Sequence, residues 1–140
     1  KLHPVQDANN EYIKKLIQKL DPNILIIQTG SIKEIISSCD AMINLHVELM
    51  PSTVLLEGLI LKKAIMNVVM TDEILKFQYV KDNAVLSVSD NSDLTIPINE
   101  LLYNEEISQK LIQNGQLHVK NFLANPGNAS KSLAEVINSI

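Results

Sequence analysis

Two hydroxyls, Ser52 and Thr53, and a carboxylate, Glu57, stand in the most hydrophobic stretch of the chain, ELMPSTVLLEGLILKKAIMNVVM from Glu48 to Met70. Hydroxyls at the first residues of a helix add donors to the open backbone N–H groups there, and together they form an anion site. A carboxylate four to five residues on lies one helical turn inward. It does not ligate a phosphate, but it can accept hydrogen bonds from two sugar hydroxyls one ribose away. The spacing suits a nucleotide diphosphate laid across a helix start. Two plainer readings stand beside this one. Ser and Thr are ordinary helix caps, and Glu57 can face solvent on an amphipathic helix. Against the second, Val54, Leu55, Leu56, Leu59, Ile60 and Leu61 leave little polar face. A helix apolar nearly all round is buried, and a buried carboxylate needs partners.

Other residues compete for a role. His3 ends what reads as a truncated first strand and can donate to a phosphate or assist proton transfer. His46 directly follows a second apolar run and opens the loop that leads to Ser52. Both also have packing readings, as does His118 on a long helix near the C-terminus. Glu48 is a weaker candidate, and Cys39 reads as a small buried residue. No G-x-G-x-x-G follows a strand and no G-K-[ST] loop occurs, which argues against a dinucleotide or P-loop domain. No H-E-x-x-H or cysteine pair points to zinc, and no G-x-S-x-G elbow is present.

The bulk composition narrows the class. With 140 residues, 46% apolar content and mean hydropathy +0.09, the chain suits one globular domain. Net charge is -4 and no Lys/Arg block stands out, so no nucleic-acid partner is expected. A single cysteine excludes an internal disulfide framework and fits a reducing, cytoplasmic setting. Pro51, Glu57, Lys62 and Lys63 break the 48–70 stretch too often for a membrane span. The chain opens on KLHP without an initiator Met and without a signal peptide, which leads us to expect a fragment from which a second domain is missing.

The elements that must hold these residues follow from periodicity. Helical spacing of Tyr12, Ile13, Leu16, Ile17 and Leu20 predicts a helix over Asp7–Leu20, ended by Asp21-Pro22. Ile24–Ile27 reads as a buried strand. Thr29-Gly30-Ser31 turns, and Ser31 with Glu34 forms a capping box for Ile32–Ser38. Ala41–Leu45 is a strand, Ser52–Leu61 a helix closed by Lys62-Lys63, and Ala64–Val69 a strand. Val80–Val88 contains another, most clearly over Ala84–Val88. Helices follow at Leu94–Tyr103, with Pro97 near its start, and at Glu105–Leu123, with Gly115 weakening its middle. The latter's expected core contacts are Ile107, Leu111, Ile112, Val119 and Phe122. Asn128–Ile140 closes the chain, with Ala129, Leu133, Val136, Ile137 and Ile140 inward. Strand and helix alternate, so the expected fold is α/β: a Rossmann-like three-layer sandwich with a mostly parallel sheet and a helical C-terminal tail. Ligands of such folds bind at the carboxyl ends of the strands.

SCDAMINLHVELMPSTVLLEGLILKKAIMNVVM resembles the C-terminal half of sugar-nucleotide glycosyltransferases with two facing Rossmann-like domains, nearest to surface-polysaccharide enzymes. UDP-N-acetylglucosamine 2-epimerases and glycerophosphotransferases of the teichoic-acid type share that architecture. The resemblance implies that Ser52 and Thr53 hold the donor's phosphates and Glu57 its ribose. KLHP is similar to the histidine-proline motif that opens this domain, which implies that His3 faces the diphosphate. NPGNASKSLAEVI resembles the family's last helices. By this resemblance the parent is a two-domain enzyme, the substrate is a nucleotide-diphosphate sugar, no separate cofactor or metal is implied, and an N-terminal acceptor domain is missing. The fragment alone is then expected to be catalytically inactive, and no residue of this half is assigned a catalytic role. Surface-polysaccharide enzymes often meet membranes, so membrane association of the parent is an open expectation. The sequence departs from the family at Ala64, where proline is usual, and by having no Arg near Thr71, Asp72 and Glu73.

Two other functions remain open at this point. A UDP-sugar 2-epimerase domain would draw on Glu48 and His46. A non-catalytic Rossmann-like module would pair Glu57 internally and leave no cleft at Ser52.

Overall fold

The computed structural model describes residues 7–46, 52–123 and 127–139. The chain divides into two compact units, residues 1–35 and 36–140.

The smaller unit is built on α1 (Asp7–Leu20). Asp21 ends it, its carboxylate accepting the Asn23 N–H at 2.8 Å. Of the five apolar residues that predict this helix, Ile13 and Ile17 are half-buried, whereas Tyr12, Leu16 and Leu20 are exposed. The strand expected at Ile24–Ile27 is not formed, and those residues have no regular structure. A short apolar run has no strand geometry of its own; it needs a ladder to supply its backbone hydrogen bonds. Half of the expected capping box opens α2 (Ile32–Ser37), with Ser31 Oγ accepting the Glu34 N–H at 3.3 Å.

The larger unit carries a three-stranded, all-parallel sheet of β1 (Ala41–His46), β2 (Ala64–Val69) and β3 (Leu86–Ser89), in that order. The α/β class expected from the alternation is therefore observed. α3 (Thr53–Ile60) connects β1 to β2, and a short 3-10 helix (Asp72–Lys76) with α4 (Gln78–Lys81) connects β2 to β3. α5 (Thr95–Tyr103), α6 (Glu105–Phe122) and α7 (Ala129–Asn138) follow. Pro97 is harmless in the first turn of α5, where no intrahelical N–H bond is made.

β2 is buried along its whole length, as a central parallel strand covered on both faces must be. On one face Ile65 packs with Leu55 and Leu59 of α3 and with Tyr79, Ala84 and Val85. On the other, Ala64, Met66 and Val68 pack with Leu101 of α5 and Leu111 of α6. Leu55, Leu59, Ile65 and Met66 are among the largest fully buried side chains. Burying each contributes roughly 1.5–3 kcal/mol before the entropy of ordering is subtracted.

Two glycines set the position of α3. A Cβ at Gly58 would lie 2.8 Å from both Ile65 Cδ1 and Met42 Sδ. A Cβ at Gly115 would lie 2.9 Å from Leu59 Cδ2. Gly115 thus lowers the propensity of α6 and in exchange lets α6 close onto α3.

Several expectations are corrected. Val80 lies in α4, and β3 starts only at Leu86, because Asn83 turns the chain through a left-handed conformation (φ 52) before the ladder begins. Phe122 is 60% exposed, and no described residue of α7 is buried, Leu133, Val136 and Ile137 included. Cys39 is exposed, since it lies in the turn between α2 and β1. Lys63 reaches back to the α2 end, where Nζ donates to the carbonyls of Ser37 (3.0 Å) and Cys39. Its cation thus serves the C-terminus of α2 and not that of α3.

Candidate functional site

The loop that joins β1 to α3 leaves the carboxyl edge of the sheet, the edge at which ligands of parallel α/β folds bind. His3 and Glu48 lie outside the described residues. His46 closes β1 opposite Val69, and its side chain is likewise outside the description.

Ser52 is the N-cap of α3. Its backbone is extended (φ -74, ψ 119), and its Oγ accepts the Leu55 N–H at 3.3 Å. The same hydroxyl donates to Asn44 Oδ1 at 3.4 Å. Both capacities of Ser52 are therefore used within the fold. Thr53 stands beside it at the first helical position, exposed, with no hydrogen-bond partner for its hydroxyl among the described residues. The Leu55 N–H is taken by the cap and the Leu56 N–H by the Ser52 carbonyl at 3.3 Å. This leaves the N–H groups of Thr53 and Val54 pointing out of the helix start.

Glu57 follows Thr53 by four residues and so shares its face of the helix. It is half-buried, and its carboxylate has no hydrogen bond or ion pair among the described residues. α3 is not buried all round, as its apolar composition suggested: Leu55, Gly58 and Leu59 are buried, while Thr53, Val54 and Ile60 are exposed. The exposed strip is the one that holds Thr53 and Glu57. The helix start offers two open N–H groups, one open hydroxyl and, one turn on, one open acceptor. That set can bind an anion joined to a hydroxyl-bearing group.

Beneath this strip lies a polar row that sequence reasoning missed. Asn44 and Asn67 are register partners on adjacent strands, and Asn67 pairs in turn with Ser87. Asn44 Nδ2 donates to Asn67 Oδ1 at 2.7 Å. Asn67 is completely buried, and its Nδ2, like the buried Ser87 Oγ, has no hydrogen-bond partner among the described residues. The signal was present in the sequence: AMINLH and AIMNVV both place Asn fourth in an otherwise apolar strand.

A second polar centre lies at the other end of the strands, where α4 turns into β3. His118 is 4% exposed, and its Nδ1 lies 2.7 Å from Asp82 Oδ2. The carboxylate only accepts, so Nδ1 carries the proton. Gln78 Nε2 donates to the other oxygen at 2.6 Å. The hydrogen bond from His118, then that from Gln78, holds the Asp82 carboxyl below its ordinary value. The His118 ring stacks on Phe122 at 5.4 Å and meets Tyr79 edge-on at 6.3 Å. Burial pushes the Tyr79 hydroxyl up to about 12.

A cavity of about 260 Å3 also opens on the amino edge of the sheet, against Ala41, Ala64, Leu101 and Ile112. It does not include Ser52, Thr53 or Glu57. Among the described residues, no cluster of His, Cys, Asp or Glu is arranged to hold a metal, and no helix is long and apolar enough to cross a membrane. No protein-family model, curated protein or solved structure matches this chain.

Proposed function

We propose that this chain is the nucleotide-sugar donor-binding half of a glycosyltransferase with two facing Rossmann-like domains. The parent enzyme would transfer a sugar or a polyol phosphate in surface-polysaccharide or glycoconjugate synthesis. The donor diphosphate sits at the start of α3, on the N–H groups of Thr53 and Val54 and the Thr53 hydroxyl. Glu57 accepts from the ribose hydroxyls. The oriented peptide dipoles of α3 stabilise the diphosphate as the sugar departs. His46 opens the same loop, and His3 is its counterpart in the histidine-proline motif. The acceptor is held by a facing domain.

The observation that carries this reading is that Glu57, half-buried, has no hydrogen bond or ion pair among the described residues and lies one turn from an exposed Thr53 whose hydroxyl likewise has no partner among them. A module that used the fold only for assembly would be expected to pair Glu57 internally. A carboxylate with free lone pairs beside an open helix start can accept from two ligand hydroxyls.

Calorimetric titration with UDP, GDP, CDP and their sugar conjugates tests the proposal. Saturable binding of one diphosphate is expected. Its affinity should fall about tenfold or more in Glu57→Ala, the loss of one or two hydrogen bonds to a charged acceptor. Equal affinity in Glu57→Ala would remove Glu57 from the site. Absence of binding to every nucleotide, in this chain and in a chain that includes the facing domain, would overturn the reading.

A further inference from the structure

We infer that Asn67, buried in the central strand, is a positioning residue for the α3 start: through Asn44 it aims the Ser52 hydroxyl into the sheet, so that Ser52 caps the helix and Thr53 meets the ligand. The row runs Ser52 Oγ to Asn44 Oδ1 (3.4 Å), then Asn44 Nδ2 to Asn67 Oδ1 (2.7 Å). Each link fixes the next. Asn67 Oδ1 is an acceptor only, so it draws the amino end of Asn44 towards β2. The carbonyl end of Asn44 is thereby turned towards α3, and there it draws the Ser52 proton. With its proton committed inward, Ser52 presents lone pairs to the Leu55 N–H.

The cost of Asn67 argues that it has a role. It is fully buried in a strand whose neighbours Ile65, Met66, Val68 and Val69 are all apolar, and its Nδ2 has no partner among the described residues. An unpaired buried donor is expensive, and an apolar residue of similar size would serve packing better. An amide serves one purpose that leucine does not: it orients Asn44. Ser87, the register partner on the far side, extends the row to β3.

Amide hydrogen exchange at Leu55, measured against Leu59 one turn on, tests this without any ligand. Asn67→Leu removes the acceptor, and Leu55 is expected to exchange about tenfold faster relative to Leu59, the loss of one cap hydrogen bond. Asn67→Asp keeps an acceptor for Asn44 Nδ2 and should restore the wild-type ratio. Should neither variant fold, Asn44→Ala removes the Ser52 acceptor from a half-buried position and carries the same expectation as the leucine. An unchanged ratio in Asn67→Leu, or in Asn44→Ala where that variant is needed, overturns the inference.

A second arm rests on the nucleotide reading above. Whichever of UDP, GDP and CDP binds the wild type should bind Thr53→Ala more weakly than Ser52→Ala, because Ser52 only caps. The reverse order overturns the assignment of the ligand contact to Thr53. Failure of the wild type to bind any of UDP, GDP and CDP counts against the nucleotide reading, and the exchange ratio then decides the positioning role alone.

Discussion

Glu57 and His118 are both polar residues set among hydrophobic ones, and they have opposite circumstances. His118 is nearly inaccessible and has found its partners: Asp82 through Nδ1, Phe122 on one ring face and Tyr79 at its edge. Glu57 is half-buried and has found none among the described residues. The first arrangement is complete without a ligand and joins α6 to the α4–β3 turn. The second leaves its carboxylate without a protein partner among the described residues. The difference separates a polar residue satisfied inside the fold from one that, under the proposed function, is satisfied by a ligand.

Breaking the cohesive pair should give the largest effect on folding. His118→Ala removes a charge-assisted hydrogen bond, leaves Asp82 without its main donor and opens a void beside Tyr79. A loss of about 3 kcal/mol is expected in chemical denaturation, with nucleotide affinity unchanged. Glu57→Ala should do the opposite, leaving stability within about 0.5 kcal/mol of wild type while affinity falls. If both variants lose stability alike, the contrast collapses and Glu57 is structural.

Acid sharpens the same contrast. The folded Asp82 carboxyl titrates below its ordinary value of 3.8, chiefly because of the His118 hydrogen bond and then that of Gln78. A depressed folded pKa gives stability that is fully present above the unfolded value and is lost as pH falls through the folded one. Below about pH 4, wild type should therefore lose stability that Asp82→Asn lacks already. The two melting curves are expected to converge as pH drops. Parallel curves would dismiss the pair as a stabilising element.

The smallest effect is at alkaline pH. The Tyr79 hydroxyl titrates at about 12 in the fold, against 10.0 ordinarily, because burial disfavours the phenolate. A raised folded pKa gives stability that is full below the unfolded value and is lost as pH rises through the folded one. Stability should decline from about pH 10 towards pH 12 in wild type, and Tyr79→Phe should show a shallower decline. Identical slopes would mean that Tyr79 ionises freely in the folded state.

The parallel sheet was legible in the sequence because its strands are nearly continuous apolar runs of the right length, and AMINLH and AIMNVV pair as such. α3 and its Ser52 cap were legible because cap chemistry is local: a hydroxyl three residues before the N–H it accepts. Local reading fails where partners are distant. His118 takes its role from Asp82, 36 residues earlier, and nothing near either residue announces the other. Gly115 reads as a helix weakness until Leu59 is placed against it. Ile24–Ile27 shows the converse error, in which composition favours a strand that no ladder completes. Within the site, the spacing of Thr53 and Glu57 foretold their shared face. It did not foretell that Ser52 would be committed inward, because that depends on Asn44 and Asn67 meeting across two strands.

The glycine within α3 and the one in α6 that faces it also shape how this chain could diverge. Gly58 and Gly115 hold the helix by what they lack, and an added methyl at either would press on Met42, Ile65 or Leu59 at under 3 Å. A mutational library across α3 should therefore return a lopsided map. Thr53, Val54 and Ile60 are all exposed, and substitution there should leave the fold in place. An added methyl at position 58 or 115 would instead make Ile65, Met42 or Leu59 turn aside, since each contact is with the mobile end of a side chain. Change on the outer strip of α3 should thus leave the packing beneath it intact, while change at either glycine must be answered by a neighbouring side chain.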